Sequence, residues 1–203
     1  MTHPLVPRPR RLAGITSLRE HYKRSEVRTD RILADMPDSV PIPWLYHGDA
    51  VYHASSSARG HPLQPSAPMF TAVLALDCAY HFRTRQVFLK QALDMLKPGG
   101  RIGLADICFD FAPNGWRARL VSVLGVMPYE NVVRPSDYVR MMQDMGYVDV
   151  ELEDISDRVF AGFFAFLRSQ GGLWPLFVGA MNMLVRWGMK FVIVSAGKPL
   201  PNS

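Results

Sequence analysis

Asp77, Cys78, Ala79, Tyr80 and His81 bring an acid, a thiol, a phenol and an imidazole into one short stretch of backbone. Imidazoles exchange protons near neutral pH, so His81 is the first candidate for a general base. Tyr80 is the second. The same residues also fit quieter duties: Asp77 capping the segment that follows, His81 orienting a substrate, capping a loop or standing on the surface. A further acid, Asp106, ends a short apolar run downstream.

These groups need elements to position them. Residues 70–76 (FTAVLAL) form a continuous apolar run of strand length, expected to be buried on both faces. Residues 84–96 place Val87, Phe88, Ala92, Leu93 and Leu96 at helical spacings, which predicts a helix with one apolar face. Pro98, Gly99 and Gly100 are expected to stop it. Residues 101–105 (RIGLA) read as a second buried strand, closed by Asp106. Strand, crossover helix and strand make a right-handed βαβ unit, which requires a parallel sheet. Ligands meet such sheets at the carboxyl ends of the strands, where both acids fall.

A chain of 203 residues holds one α/β domain with a sizeable core. Its 48% hydrophobic and 20% charged residues are globular values and exclude wholesale disorder. The net charge of +5 is mild, and its basic residues crowd into the first third without interleaved aromatics. Nucleic-acid binding is therefore not expected. Cys78 and Cys108 make neither a disulfide framework nor a metal-ligand spacing, so no metal is expected. No apolar signal segment opens the chain, and a reducing, cytoplasmic compartment fits best.

Taken in order, residues 1–11 read as an irregular, proline-rich leader. Residues 12–17 (LAGITS) read as a short strand and 18–34 as a charged helix. A loop at 37–43 leads to a strand at 44–46 and the turn Gly48, Asp49, Ala50. Residues 52–68, with a serine triplet and three prolines, read as a loop insertion, exposed and mobile. Helices are expected at 115–126 and 135–145, and the alternating VDVELEDI at 148–155 as a half-buried strand. Residues 189–196 are expected as a final antiparallel strand. Between these strands, 156–188 holds two apolar helices, 159–167 and 173–185, each too short to span a bilayer. They read as a helical lid, as an apolar wall for a greasy acceptor, or as a surface for peripheral membrane contact.

In this order and spacing, FTAVLALDCAYHF and LKPGGRIGLAD resemble the later half of the cofactor domain of class I S-adenosylmethionine-dependent methyltransferases. The flavour is that of the sterol, tocopherol and phosphoethanolamine enzymes. The resemblance implies an α/β, Rossmann-like sheet, mostly parallel with an antiparallel last strand. It implies S-adenosylmethionine as cofactor and a small, lipophilic molecule as methyl acceptor. LAGITS resembles the family's second strand, which would bring Thr16 and Ser17 to the cofactor ribose. Residues 48–50 resemble its adenine-contacting turn, which would give Asp49 and Ala50 that role. Asp77 completes the implied cofactor set.

The family's first strand and its Gly-rich loop have no counterpart in the sequence. The resemblance therefore implies a single but incomplete, N-terminally truncated domain over 12–203, one that holds S-adenosylmethionine poorly. An alternative of another class stands beside it. A non-catalytic, truncated homologue would use the fold as a binding or interaction module, pairing with an intact homologue.

Overall fold

The fold is taken from a computed structural model that describes residues 9–35 and 41–201. Most of the expected leader and half of the loop at 37–43 lie outside these residues. The described strands fall into two sheets, one in each of two compact units divided between Pro68 and Met69.

The first unit is a βαβ element. Strands β1 (Ala13–Thr16) and β2 (Trp44–His47) pair in parallel, Ala13 opposite Trp44 and Thr16 opposite His47. Helix α1 (Arg19–Asp35) crosses between them and buries none of its residues fully, in keeping with its charged sequence. The expected insertion at 52–68 does more than cover surface. Its His61 and Leu63 are buried, as is Val51 before it. The His61 ring sits 3.0 Å from the Asp49 carbonyl through Nε2, while Nδ1 accepts the Leu63 N–H at 2.9 Å. Tyr46 meets the same ring edge-on at 4.7 Å.

The second unit holds a four-stranded sheet in the order β3-β4-β6-β5. Its elements are β3 (Phe70–Leu76), a 3-10 turn (Ala79–His81), α2 (Arg85–Met95), β4 (Leu96–Phe109) and α3 (Trp116–Val123). A second 3-10 turn (Tyr129–Asn131), α4 (Pro135–Asp144), β5 (Val148–Asp154), α5 (Ser156–Ser169), α6 (Trp174–Arg186) and β6 (Met189–Gly197) follow. As expected, β3 and β4 run parallel, and β6 returns antiparallel to both β4 and β5. Phe109, Phe111, Val121, Phe160, Phe164 and Met189 anchor a core that α3, α5 and α6 close.

Three expectations for this unit need correction. First, β3 is not buried on both faces: Leu74 is 71% exposed and Leu76 66%. Among the described residues β3 has one neighbour, β4, so it is an edge of its sheet. Each such leucine leaves ~1.5–3 kcal/mol of burial unrealised.

Second, Pro98 and the two glycines do not stop the helix. α2 already ends at Met95, and LKPGG is drawn into β4 across a register shift opposite Phe70 and Ala72. The end of the chain holds it there. Gly99 N–H donates to the Lys198 carbonyl at 3.0 Å, Lys198 N–H to Gly100 at 2.8 Å, and Lys198 Nζ to Leu96 at 2.8 Å. Gly99 takes φ +72°, and a Cβ on Gly100 would stand 2.8 Å from the Lys97 carbonyl oxygen, so both positions require glycine.

Third, Asp106 does not close its strand. β4 runs on to Phe109 because β6 pairs along its other side as far as Met189.

Candidate active site

In the first unit the carboxyl ends of β1 and β2 bring four of the expected cofactor residues together. Gly48 N–H donates to the Thr16 carbonyl at 3.0 Å, which extends the parallel ladder and sets the turn 48–50 beside Thr16 and Ser17. The Asp49 Oδ1 accepts the Val51 N–H at 2.9 Å, a turn that fixes the carboxylate while it stays exposed. Thr16 Oγ1 accepts the Leu18 N–H at 3.3 Å, so its hydroxyl also tethers the start of α1. Gly48 has a packing reason of its own, since a Cβ there would lie 2.6 Å from the Tyr46 ring. At this end an open groove of about 470 Å³ is lined by Arg19, Tyr22, Lys23, Glu26 and His47.

An exposed carboxylate and a hydroxyl on adjacent strand ends offer acceptors of the kind that ribose hydroxyls or an adenine amine would donate to. Among the described residues no strand is followed by a loop with two glycines within three positions of each other.

In the second unit, Asp77, Tyr80 and His81 come together at the carboxyl end of β3. Asp77 N–H donates to the Ala105 carbonyl at 2.7 Å, and Asp77 then turns the chain out of the strand at φ +55°, a region that acids enter more readily than most residues. Tyr80 is buried, and its hydroxyl donates to Asp77 Oδ1 at 3.1 Å. His81 is exposed on the 3-10 turn, its ring centroid 4.1 Å from that of Tyr80.

A buried polar network that sequence reasoning missed holds this loop in place. Asp106 is 0% exposed. Its Oδ1 accepts N–H groups from Tyr80 and Ile107, both at 3.0 Å, and its Oδ2 accepts the Tyr138 hydroxyl at 2.8 Å. Arg85 pairs with that Oδ2 through Nε at 3.0 Å, donates from Nη2 to the Ile107 carbonyl at 2.9 Å, and lies 4.8 Å from the centre of the Tyr138 ring. Asn131 completes the clamp: Oδ1 accepts Arg85 N–H at 2.8 Å, and Nδ2 donates to the carbonyls of Tyr80 at 2.9 Å and Phe82 at 2.6 Å. Both carbonyls flanking His81 are thereby fixed.

One signal for Arg85 was present in the sequence. It lies three and four residues before Phe88 and Leu89, on the apolar face of α2, where a charge requires a buried partner. No spacing identifies Asn131 or Tyr138 as that network's other members.

Electrostatics separate the candidates. Burial, then the charges of Asp106 and Asp77, push the Cys78 thiol up to about 11. Burial, then Asp77, also raises Tyr80. Thiol and phenol both keep their protons at neutral pH, and neither is an activated nucleophile. Burial lifts the Asp106 carboxyl above its ordinary range, opposed by Arg85 and the hydrogen bonds from Tyr138, Ile107 and Tyr80. Among the described residues, no three His, Cys, Asp or Glu side chains converge as a metal site would require.

No family model matches the chain. It is 28% identical, over 160 residues, to the erythromycin 3''-O-methyltransferase of Saccharopolyspora erythraea, a match covering 75% of this chain and 47% of that protein. The chain thus spans about half the length of this curated relative. Among solved structures it is similar to the [4+2]-cyclase SpnF, with a TM-score of 0.64 and 18% identity over 94% of this chain and 66% of that one. The geranyl diphosphate C-methyltransferase of Streptomyces coelicolor A3(2), solved with Mg2+, a substrate analogue and S-adenosyl-L-homocysteine, matches with a TM-score of 0.63 and 15% identity, over 93% of this chain and 61% of that one. Phosphoethanolamine N-methyltransferase 2 of Haemonchus contortus, in complex with S-adenosyl-L-methionine, matches with a TM-score of 0.61 and 14% identity, over 92% and 43%. Parallel βαβ units, an antiparallel last strand and these likenesses together give the chain the class I S-adenosylmethionine-dependent methyltransferase fold.

Proposed function

We propose that this chain serves methyl transfer from S-adenosylmethionine to a small, lipophilic acceptor, with His81 taking the acceptor's proton. The observation that carries the reading is His81 itself, an exposed imidazole on the turn after β3, with the backbone on either side fixed by Asn131. When bound, S-adenosylmethionine supplies a sulfonium-activated methyl group, so the leaving side needs no acid. The protein's share is to orient the acceptor, exclude water and accept one proton. Tyr80 suits the last task less well, because its hydroxyl already donates to Asp77. Thr16, Ser17, Asp49 and Ala50 would hold the nucleoside, with Asp77 a further cofactor contact. The apolar helices α5 and α6 support a greasy acceptor. Two of the solved relatives are named for small acceptors, phosphoethanolamine and geranyl diphosphate, of which the second has an apolar chain.

A second reading is a non-catalytic, truncated homologue that acts as a binding or interaction module and pairs with an intact homologue. What favours it is the open edge of β3, which among the described residues has β4 as its one neighbour. A site that met the cofactor's charged end without two or three of a Gly-rich loop's hydrogen bonds would forgo ~1.5–3 kcal/mol for each. A micromolar complex would weaken to the millimolar range.

Titration calorimetry with S-adenosylmethionine, followed by label transfer to a panel of apolar hydroxyl and amine acceptors, separates the two. Transfer that falls ~10²–10⁴-fold in His81→Ala, with unfolding unchanged, supports the enzyme. Millimolar binding with no transfer favours the module.

A further inference from the structure

Helices α5 and α6 should each have one apolar face and one polar face. The first half of that expectation holds: α5 buries Phe160, Phe164 and Leu167 against the core, and α6 buries Val178 and Leu184. The outward faces are apolar too. α5 exposes Phe163 and Phe166, and α6 with the residue before it exposes Leu173 (79%), Trp174, Leu176 (73%), Phe177 and Met183. Nearby, α3 exposes Trp116, Val123 and Leu124, and Trp116 meets Trp187, just after α6, edge-on at 5.8 Å. The outward residues Leu173, Leu176, Phe177, Ala180 and Met183 recur at spacings of three and four, so they share one side of the helix.

The charges around this surface are mostly basic, with Asp157 in the first turn of α5 and Asp110 and Glu130 at its borders. Residues 158–190 contain Arg158, Arg168, Arg186 and Lys190 and no acid, and residues 111–129 contain Arg117 and Arg119 and no acid. Arg158 and Lys190 pair with Glu153 and Asp154. Arg117, Arg119, Arg168 and Arg186 are exposed and, among the described residues, in no ion pair.

We propose that α5 and α6, with α3 beside them, dock on the surface of an anionic lipid bilayer. The occupant follows from the charges. A two-fold interface between copies would set these four arginines against the same four, with Asp157, in the first turn of α5, as the one acid of these helices to answer them. A small apolar ligand would leave them unused. A layer of anionic headgroups over acyl chains meets both features at once, arginines at the headgroups and Leu, Phe and Trp below them. No helix among the described residues is long and apolar enough to cross a membrane, and α6, 13 residues long, would reach only about 20 Å at 1.5 Å per residue. The contact is therefore in the plane of the interface.

The surface is independent of the methyl-transfer reading and is tested without S-adenosylmethionine. The full chain is sedimented with vesicles of phosphatidylcholine alone and of phosphatidylcholine mixed with phosphatidylglycerol. Binding to the mixed vesicles should exceed binding to the neutral ones by at least ~10²-fold, from four arginines near the surface, and should fall with added salt. The triple change Leu173→Glu, Leu176→Glu and Phe177→Glu should abolish binding and leave thermal unfolding unchanged, since these positions are exposed. Arg168→Glu with Arg186→Glu, which removes no apolar contact, should erase the preference for anionic vesicles. No binding to either vesicle overturns the proposal. So does equal binding to both, or a dimer in gel filtration that the triple change dissolves.

Discussion

Asp77 and Asp106 stand on neighbouring parallel strands at nearly the same height, since Asp77 follows Leu76, which pairs with Ala105. One is exposed and the other has no exposure at all. The difference comes from neighbours rather than from the acids. β3 has β4 on one side and ends at Leu76; β4 lies between β3 and β6 and continues past Asp106. Where a ladder stops, an acid meets solvent and can meet a ligand. Where the ladder continues, the same acid must find partners inside, and Arg85, Tyr138 and two backbone N–H groups supply them.

The sharpest break of this comparison is alanine at each acid. Asp106→Ala strands the Arg85 guanidinium in the core and should cost ~3–5 kcal/mol in denaturant unfolding. Asp77→Ala should cost less, ~1–2 kcal/mol, from the lost Tyr80 hydrogen bond and the left-handed backbone. Equal losses would mean that the two acids share one environment. Tyr138→Phe removes a single donor from Asp106 and should cost ~1–3 kcal/mol, leaving the Arg85 pair in place. A loss as large as that of Asp106→Ala would move the weight of the network from the ion pair to the tyrosine.

Titration gives a smaller signature. Burial holds the Asp106 carboxyl above its ordinary range, so between the ordinary and the raised value the folded chain binds more protons than the unfolded one. Stability then falls as pH rises through that window, and the stabilising share is complete only below the ordinary value. Asp106→Asn should flatten this part of the stability-pH curve; an unchanged slope would assign it to other groups. Smallest of all is the effect on Cys78, whose thiol sits at about 11 between the two acids. Alkylation of the folded chain should be slow at neutral pH and climb steadily toward that value, because burial and then the two acids raise the thiol, and rapid labelling at pH 7 would show that the sulfur is open to solvent.

The fold was legible because its signals are local. Apolar runs marked β3 and β4, the spacing in 84–96 marked α2, and alternation marked β5. LKPGG was misread because nothing in its neighbourhood says that Lys198, about a hundred residues later, will hold it in the sheet. The burial of β3 was misread for a related reason: composition gives a strand's affinity for a core but not its number of neighbours. At the candidate site, His81, Tyr80 and Asp77 were readable because they fall within five positions. The clamp was not, because its contacting members are 21 to 51 positions apart and only the misplaced charge of Arg85 hints at it.

The single partner of β3 also decides how that strand exchanges its amide hydrogens. In a parallel pair, N–H groups along a strand point alternately toward the neighbour and away from it. From Thr71 to Leu76, therefore, slow amides locked against β4 should alternate with fast ones, whereas residues 101–105 of β4, with a partner on each side, should be protected continuously. Any strand that came to lie along the open edge, from whatever source, would erase the alternation and leave β3 as slow as its neighbour.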